Sequence, residues 1–552
     1  MPSSSAAALL ATLLLLPCSG QEYDVDVLVY GATPGGVLAA DAAAGEAGGA
    51  LRVALLDPRA LVGGCMAGGL ANTDVGSDAR VLGGRTRSFF QRVSAAYGGA
   101  GNASQYTFEP KVAEAIFRDY FLASKPNLAL HSSTRIVRVD AEPAPGGGRR
   151  LARLHTAAGA AFTARVVVDA SYEGFLLPLA NVSFAYGREP AAQYGERAGG
   201  VSGTAGVPGA YTVQPQLFAG VDPFVGAPGG AVLPLVQAQP PGPLGSGDAR
   251  TQAYMYRVTT TAVPGAFLQP WPRPPAYNAS QFELFRRLVA ARNGSHVLGA
   301  CSNLPRGKCD SNSQYFDQSG PGFSWDYPRA VAAGDWAAQQ AVWDAHRDFQ
   351  LGLAYFLQND PALPPAVRAN MGTFGLPLDE YPLSAGTPVA HFPPQLYVRE
   401  TLRMVSDFVL TERDRVTDLA KPDSIGMGDY TIDVLPVSRF PLRNASTGAW
   451  GTALEGGVQA PSFLTPGLPP FQIPYRAIVP RRAEAVNLLV PGALSASHLG
   501  FCAVRVEPAW MVLGESAGVA AALAAGSGGA VQDVDVPALQ ARLRELGQVL
   551  EL

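Results

Sequence analysis

The stretch VDVLVYGATPGGVLAA, Val25 to Ala40, restricts the possible folds of this chain more than any other. A run of β-branched and apolar residues enters a glycine-rich turn and leaves it as a small-residue helix. That is the order of strand, turn and helix in a dinucleotide-binding βαβ unit. Gly31 stands as the first glycine of the turn and Gly36 as the third, with Ala40 where the helix must lie close to the strand. Thr33 occupies the place of the middle glycine, which narrows the approach of a pyrophosphate but offers a hydroxyl donor. Pro34 suits a helix start, and Gly35 restores close access one residue on. The free N–H groups and positive dipole end of the helix complete an anion site. Asp57 ends the next expected strand, LRVALLDP, and is placed to bond a ribose hydroxyl. A tight βα turn with Asp57 as a mere cap is the alternative that this pattern leaves open.

The rest of the chain decides between cofactors. An NAD dehydrogenase completes its cofactor domain in one contiguous half. Here a second glycine pair, Gly63 and Gly64, a strand end VVVDASYEG with Ala170 and Glu173, and a C-terminal strand VNLLVPGAL lie far apart. The helix PAWMVLGESAGVAAALAA follows, apolar nearly all round and therefore expected to be buried. Gly514 and Gly518 would let it lie tight against the cofactor. This dispersal suits FAD, whose ring lies far from its adenine and needs a second helix terminus. The expected class is α/β, with a Rossmann-like FAD-binding domain (βαβ, parallel sheet) interrupted by a mixed α+β substrate domain. Its expected parts are residues 1–20 as leader, 21–180 and 471–552 as the two pieces of the FAD-binding domain, and 181–470 as the substrate domain with long Gly/Pro-rich loops. Helical spacing predicts further helices at VAEAIFRDYFLA, QFELFRRLVAA, AHRDFQLGLAYFLQ and QLYVRETLRMVSDFVL.

The N-terminus reads MPSSSAAALLATLLLLPCSGQEY, and its apolar run is too short for a bilayer span, which needs ~20 residues. It reads as a signal peptide cleaved near Gly20, so no transmembrane span is expected in the mature chain. Asn102, Asn181, Asn278, Asn293 and Asn444 head N-x-S sequons, in keeping with a secreted or extracellular glycoprotein. Cys301 and Cys309 bracket CSNLPRGKC and are expected to form a disulfide in an oxidising compartment. The histidines show no metal-ligand spacing, so no metal is expected. Acidic and basic residues nearly balance, 45 against 41, without a block of one sign, which argues against nucleic acid as a partner.

The segments GGCMAGGL, FEPKVAEAIFRDY, DASYEGFLLPLANVSFAYGRE, FSWDYP, QLYVRETLRMVSDFVLTERD, KPDSIGMGDY, QIPYRAIVPRR and NLLVPGALSASHLGFCAVRVEPAWMVLGESAGVAAALAA, taken with YGATPGGVLAA, resemble the FAD-dependent oxidoreductase family, related to the glutathione-reductase-like flavoproteins. The resemblance covers nearly all of the mature chain and implies a two-domain flavoprotein. Two positions depart from the family's pattern: Phe175 stands where an acidic residue is common, and Cys65 where methionine is. Phe175 puts a catalytic carboxylate at that position in doubt. Cys65 reads as a buried free thiol, with a covalent flavin link as the rival.

Three residues are candidates for chemistry. His498, in LSASHLGFCAVRVEP, is the candidate base that takes a proton from substrate while hydride passes to the flavin, with a structural histidine bonded to a loop carbonyl as the alternative. Arg505 would stabilise negative charge on the reduced ring, unless it is a surface ion-pair partner of Glu507 or Glu515. Glu173 is either a base or a structural acceptor. His391, Tyr397 and Arg399 are candidates for binding substrate, expected to be a small polar molecule, for example a hydroxylated one; a secreted flavin- or carbohydrate-binding protein without turnover is the alternative.

Overall fold

The computed structural model describes residues 20–99, 102–205, 212–213, 216, 218–294, 302–312, 322–383, 388–460 and 468–552. Residues 1–19 of the expected leader, and Cys301, lie outside them. Strand β1 (Glu22–Tyr30) runs into helix α1 (Pro34–Gly45), and β2 (Val53–Leu56) lies parallel to β1. The chain adds α2 (Gly64–Ala67), α3 (Gly84–Ala96), β3 (Leu128–His131), the hairpin β4 (Ile136–Pro143) and β5 (Arg149–Thr156), and β6 (Ala161–Asp169). The sheet order is β3-β2-β1-β6-β5-β4, and β7 (Leu488–Leu489) returns from far along the chain to pair in parallel with β6 at Val167 and Val168. The parallel strands β3, β2, β1, β6 and β7 therefore form a Rossmann-like sheet, and the antiparallel hairpin extends it. The architecture is mixed α/β, as the sequence implies.

Buried aliphatic residues make the strands: Val27, Leu28, Val29 and Leu55, Leu56 are fully enclosed. Helices α1 and α6 (Glu507–Ser527) cover one another because small residues let their backbones meet. A Cβ on Gly514 would overlap the Gly35 carbonyl, one on Gly518 the Ala39 carbonyl, and one on Gly35 would stand 2.6 Å from the Trp510 carbonyl. Among the described residues α6 is the one helix long and apolar enough to cross a membrane, and 89% of its most apolar window is buried inside the protein. Its Glu515 accepts from the Arg85 guanidinium at 2.8 Å, and Arg85 also reaches Asp41 of α1 at 2.6 Å. The buried charges pin α1, α3 and α6 together.

Helices form at Glu283–Ala291 and at α4 (Trp336–Asn359), and the segment 112–122 is helical, with a π-type second half. QLYVRETLRMVSDFVL is not a helix. Leu396–Tyr397 pairs with Met255–Tyr256, and Arg403–Met404 pairs with Phe184–Ala185. The reason is that its buried charges find partners far along the chain: Glu400 bonds His498, and Arg403 bonds Glu189 and the Gly187 carbonyl. The helical spacing of its apolar residues is therefore coincidental. Further along, the strand Ser424–Gly428 packs on α6, where the Ser516 hydroxyl donates to the Ile425 carbonyl at 2.6 Å.

Candidate active site

Four turns meet at the carboxyl ends of β1, β2 and β6, the place where ligands bind in open parallel sheets. Gly31 takes φ +104°, which favours glycine, and a Cβ there would stand 2.7 Å from the Ser171 nitrogen. A Cβ on Gly36 would overlap the Gly31 carbonyl. Thr33 is the N-cap of α1: its hydroxyl accepts from the Gly36 N–H at 3.1 Å and donates to the Ala170 carbonyl at 2.8 Å. The hydroxyl is thus engaged within the protein, tying the turn to the end of β6. Pro34 opens the helix, and the Gly63 N–H donates to the Ala32 carbonyl at 2.7 Å. Asp57 accepts from the backbone N–H groups of Ala32 and Arg59, both at 2.7 Å. Enclosure pushes its carboxyl up to about 6, against those two bonds.

These turns line a cavity that includes Gly31, Thr33, Asp57, Gly64, Tyr172 and Glu173. A second hollow lies beyond Phe175, between Tyr30, Ile136 and Trp336. Helix α4 closes this end. The Arg59 guanidinium lies 3.6 Å from the Trp343 ring centre and 4.8 Å from that of Trp336, a cation–π pairing. Glu173 accepts from the Tyr327 hydroxyl at 2.9 Å, and the Trp343 indole donates to the same hydroxyl at 3.0 Å. Burial raises the Glu173 pKa in spite of Arg59 and Tyr327.

At the other end stand Cys65, Tyr172 and Glu507. The Cys65 N–H donates to the Tyr172 hydroxyl at 2.9 Å, and that hydroxyl donates to Glu507 Oε1 at 2.6 Å. Burial and then Glu507 drive the Cys65 pKa well up, so the residue is a thiol. Glu507 and Glu515 have other partners than Arg505. Arg505 is 1% exposed and bonds the Asp433 carbonyl at 2.5 Å and the Tyr397 hydroxyl at 3.3 Å. The surface ion-pair alternative therefore does not hold. Arg399 lies 4.8 Å and Arg257 5.8 Å from the Tyr397 ring centre. Arg505, Tyr397 and Arg399 thus come together, while His391, at φ +66°, bonds the Glu380 carbonyl through Nδ1 at 2.9 Å in another part of the fold.

His498 opens helix α5 (His498–Cys502), capped by Ser497. Its Nδ1 lies 2.9 Å from Glu400 Oε1, a carboxylate and not a loop carbonyl. Arg403 donates to Glu400 at 2.9 Å and to Glu189 at 2.6 Å, and Gln252 donates to the other Glu400 oxygen at 2.6 Å. Burial works to raise the Glu400 pKa, but His498 and Arg403 outweigh it and hold it at about 2. Ligand atoms of Glu400, His498 and Cys502 lie within 4.8 Å of one another, as do those of Glu109, Asp379 and Glu380. Each group already surrounds a cationic side chain: Arg403 in the first, and Lys308, 2.6 Å from Glu380, in the second. Cys309 is disulfide-bonded, and its expected partner Cys301 lies outside the described residues.

A model of the FAD dependent oxidoreductase family matches residues 26–543. The chain belongs to this family. FAD is its cofactor, and the protein is an oxidoreductase. No curated protein sequence matches the chain significantly. Among solved structures, Thermovibrio ammonificans THI4 is 17% identical, with TM-score 0.23, over 29% of this chain and 64% of that one. L-proline dehydrogenase from P. horikoshii is 18% identical, with TM-score 0.17, over 27% of this chain and 23% of that one. Thioredoxin reductase from T. acidophilum is 18% identical, with TM-score 0.16, over 26% of this chain and 34% of that one. The chain spans less than two thirds of the length of each.

The residues present fit FAD. Gly31 and Gly64 line the cavity with no side chain in the way, and a Cβ on Gly64 would overlap the Tyr172 hydroxyl. Two of the buried polar side-chain atoms without a hydrogen-bond partner belong here: Arg59 Nη2, on a residue that lines the cavity, and Glu507 Oε2, on the carboxyl that the lining residue Tyr172 bonds. The α1 N-terminus would hold the diphosphate and Asp57 the adenosine ribose. Neither Arg59 nor Glu507 stands out in the sequence, although Glu507, an acid in the first turn of the buried helix, has the helix dipole as a signal.

Proposed function

We propose that the protein oxidises a small polar, hydroxylated molecule at the head of α6, with hydride transfer to FAD. The observation that carries this reading is the convergence there of two buried polar systems, Tyr397–Arg505–Asp433 and His498–Glu400–Arg403, close in sequence to Glu507. When held by the α1 N-terminus and Asp57, FAD would supply the hydride acceptor. An imidazole oriented through Nδ1 by an ionised carboxylate is a competent proton acceptor. The substrate O–H and the adjacent C–H bonds break, a C=O bond forms, the proton goes to His498 and the hydride to the cofactor. Arg505 and Tyr397 orient the polar substrate. A panel of small alcohols, sugar derivatives and amines, mixed with the purified protein without oxygen, tests this by loss of the yellow flavin band. A bound flavin that no member of the panel bleaches would leave the protein a flavin carrier.

The leader-like segment and the sequons support a place in the secretory pathway. The asparagines of all five sequons, Asn102, Asn181, Asn278, Asn293 and Asn444, are exposed. Glycosidase treatment of protein from a secreting host should lower its apparent mass, and an unchanged mass would remove that support.

A further inference from the structure

Glu507 is 2% exposed and stands in the first turn of α6, a helix of 21 residues. One carboxyl oxygen accepts from the Tyr172 hydroxyl, and the other has no partner of regular hydrogen-bond geometry, with the Cys65 thiol the neighbour that acts on the carboxyl. The groups that act on it are that hydroxyl and the Cys65 thiol, with Glu173 and Arg257 further off around the thiol. No cation bonds the carboxyl among the described residues. Tyr172 and Gly64 line the cavity, so Glu507 stands directly behind its wall. The direction of a bound dinucleotide is fixed at the opposite end, where Asp57 takes the adenosine ribose and the Gly31 turn the diphosphate. The riboflavin half therefore runs toward Tyr172 and Glu507.

We propose that Glu507 is a neutral acid whose free O–H completes its bonding on the riboflavin half of FAD, and that it exchanges a proton with solvent in step with the redox state of the cofactor. The proposal rests on the FAD reading above. Burial raises the Glu507 pKa to about 8, outweighing the Tyr172 hydroxyl and the Cys65 thiol, both of which favour the ionised form. A carboxylic acid kept neutral in this way serves as a hydrogen-bond donor to developing negative charge. Reduction of the cofactor by two electrons adds negative charge to its ring and raises the Glu507 pKa further. Below pH about 8 one proton accompanies the two electrons, taken up by the cofactor. Above it a second proton goes to Glu507, so the midpoint potential falls with pH twice as steeply.

The test is the midpoint potential of the FAD-loaded protein from pH 6 to 10, against a reference dye. The parent should show the break in slope, and Glu507→Gln, which keeps a donor but cannot titrate, should show a single shallow slope. Tyr172→Phe removes the bond that favours the ionised form and should move the break to higher pH, which keeps the proposal open to test if Glu507→Gln does not fold. One slope in both parent and Tyr172→Phe overturns it, as does a break that survives in Glu507→Gln. Protein that binds no FAD would instead overturn the cofactor reading, an outcome read separately from the flavin content before titration.

Discussion

At the Gly31–Asp57 end of the cavity nearly every contact is made by backbone: Asp57 bonds two backbone N–H groups, Gly63 a backbone carbonyl, and Gly35 lies on the Trp510 carbonyl. Around His498 the contacts run between side chains, His498 with Glu400, Glu400 with Arg403 and Gln252, Arg403 with Glu189. The first end depends on the shape of a short local stretch, so a missing or added Cβ decides it. The second depends on charges brought from distant parts of the chain, so a lost partner decides it. The two ends should therefore fail in different ways when altered.

The largest effect belongs to the backbone end. Gly36→Val puts a side chain into the Gly31 carbonyl, and the strand-to-helix turn cannot close around it. Purified variant should carry no flavin. Equal flavin content in variant and parent would mean that this turn does not hold the diphosphate.

At the side-chain end, His498→Ala should slow anaerobic flavin reduction by about 10²–10⁴-fold while the cofactor stays bound. Loss of flavin or of the fold would make His498 a structural member of its network, and a parental rate would move the base elsewhere, with Glu173 next because it lines the cavity. Arg403→Met leaves Glu400 and Glu189 without their shared cation and should lower stability by about 3–5 kcal/mol in a denaturant titration. The same variant with Glu400→Gln should lose less than the two single losses added, because the stranded charge is then absent. Strict additivity would show that the pair is not coupled.

This contrast explains what the sequence discloses. The Gly31 turn, Asp57, the buried C-terminal helix and the α/β class follow from residues within a few positions of one another, where a glycine or a run of valines has one local meaning. QLYVRETLRMVSDFVL has the spacing of a helix, yet Arg399, Glu400 and Arg403 find their partners from residues 189 to 498, and those partners make the segment extended. Glu400 behind His498, Trp343 over Arg59 and Tyr172 between Cys65 and Glu507 have no local signature at all. Thr33 was legible as a hydroxyl but not as a cap that spends its bonds on Gly36 and Ala170.

The pH dependence of stability separates the two ends further. Asp169, at the end of β6, accepts from the Ser171 and Leu176 N–H groups, but burial without a cation raises it from 3.8 to about 6. Its folded value lies above its unfolded value, so its contribution is complete below pH about 4 and is lost as pH rises through about 6. Glu400 is lowered from 4.5 to about 2, so its contribution is complete above pH 4.5 and is lost as pH falls toward 2. Each is worth roughly 3 kcal/mol at most. Asp169→Asn should flatten the loss between pH 4 and 7, and Glu400→Gln the loss below pH 4.5, in unfolding of the flavin-free protein. The reverse assignment of limbs would break the comparison.

The smallest effect tests the departure that the sequence shows first. Thr33 caps α1 and also ties it to Ala170, so the hydroxyl stabilises the turn without being free for a ligand. Thr33→Ala should lower stability by about 1 kcal/mol, the usual cost of a lost N-cap, whereas Thr33→Gly should cost only a few tenths, because a glycine cap leaves the first-turn N–H groups open to water or phosphate. Thr33→Ser keeps both bonds and should match the parent. Flavin affinity, followed by fluorescence quenching, should be unchanged in Thr33→Ser and no weaker in Thr33→Gly, where the backbone can approach the diphosphate as in the usual fingerprint. A marked loss of affinity in Thr33→Gly with stability retained would assign the hydroxyl to the cofactor after all, and the bond to Ala170 would then be the one that yields when FAD binds.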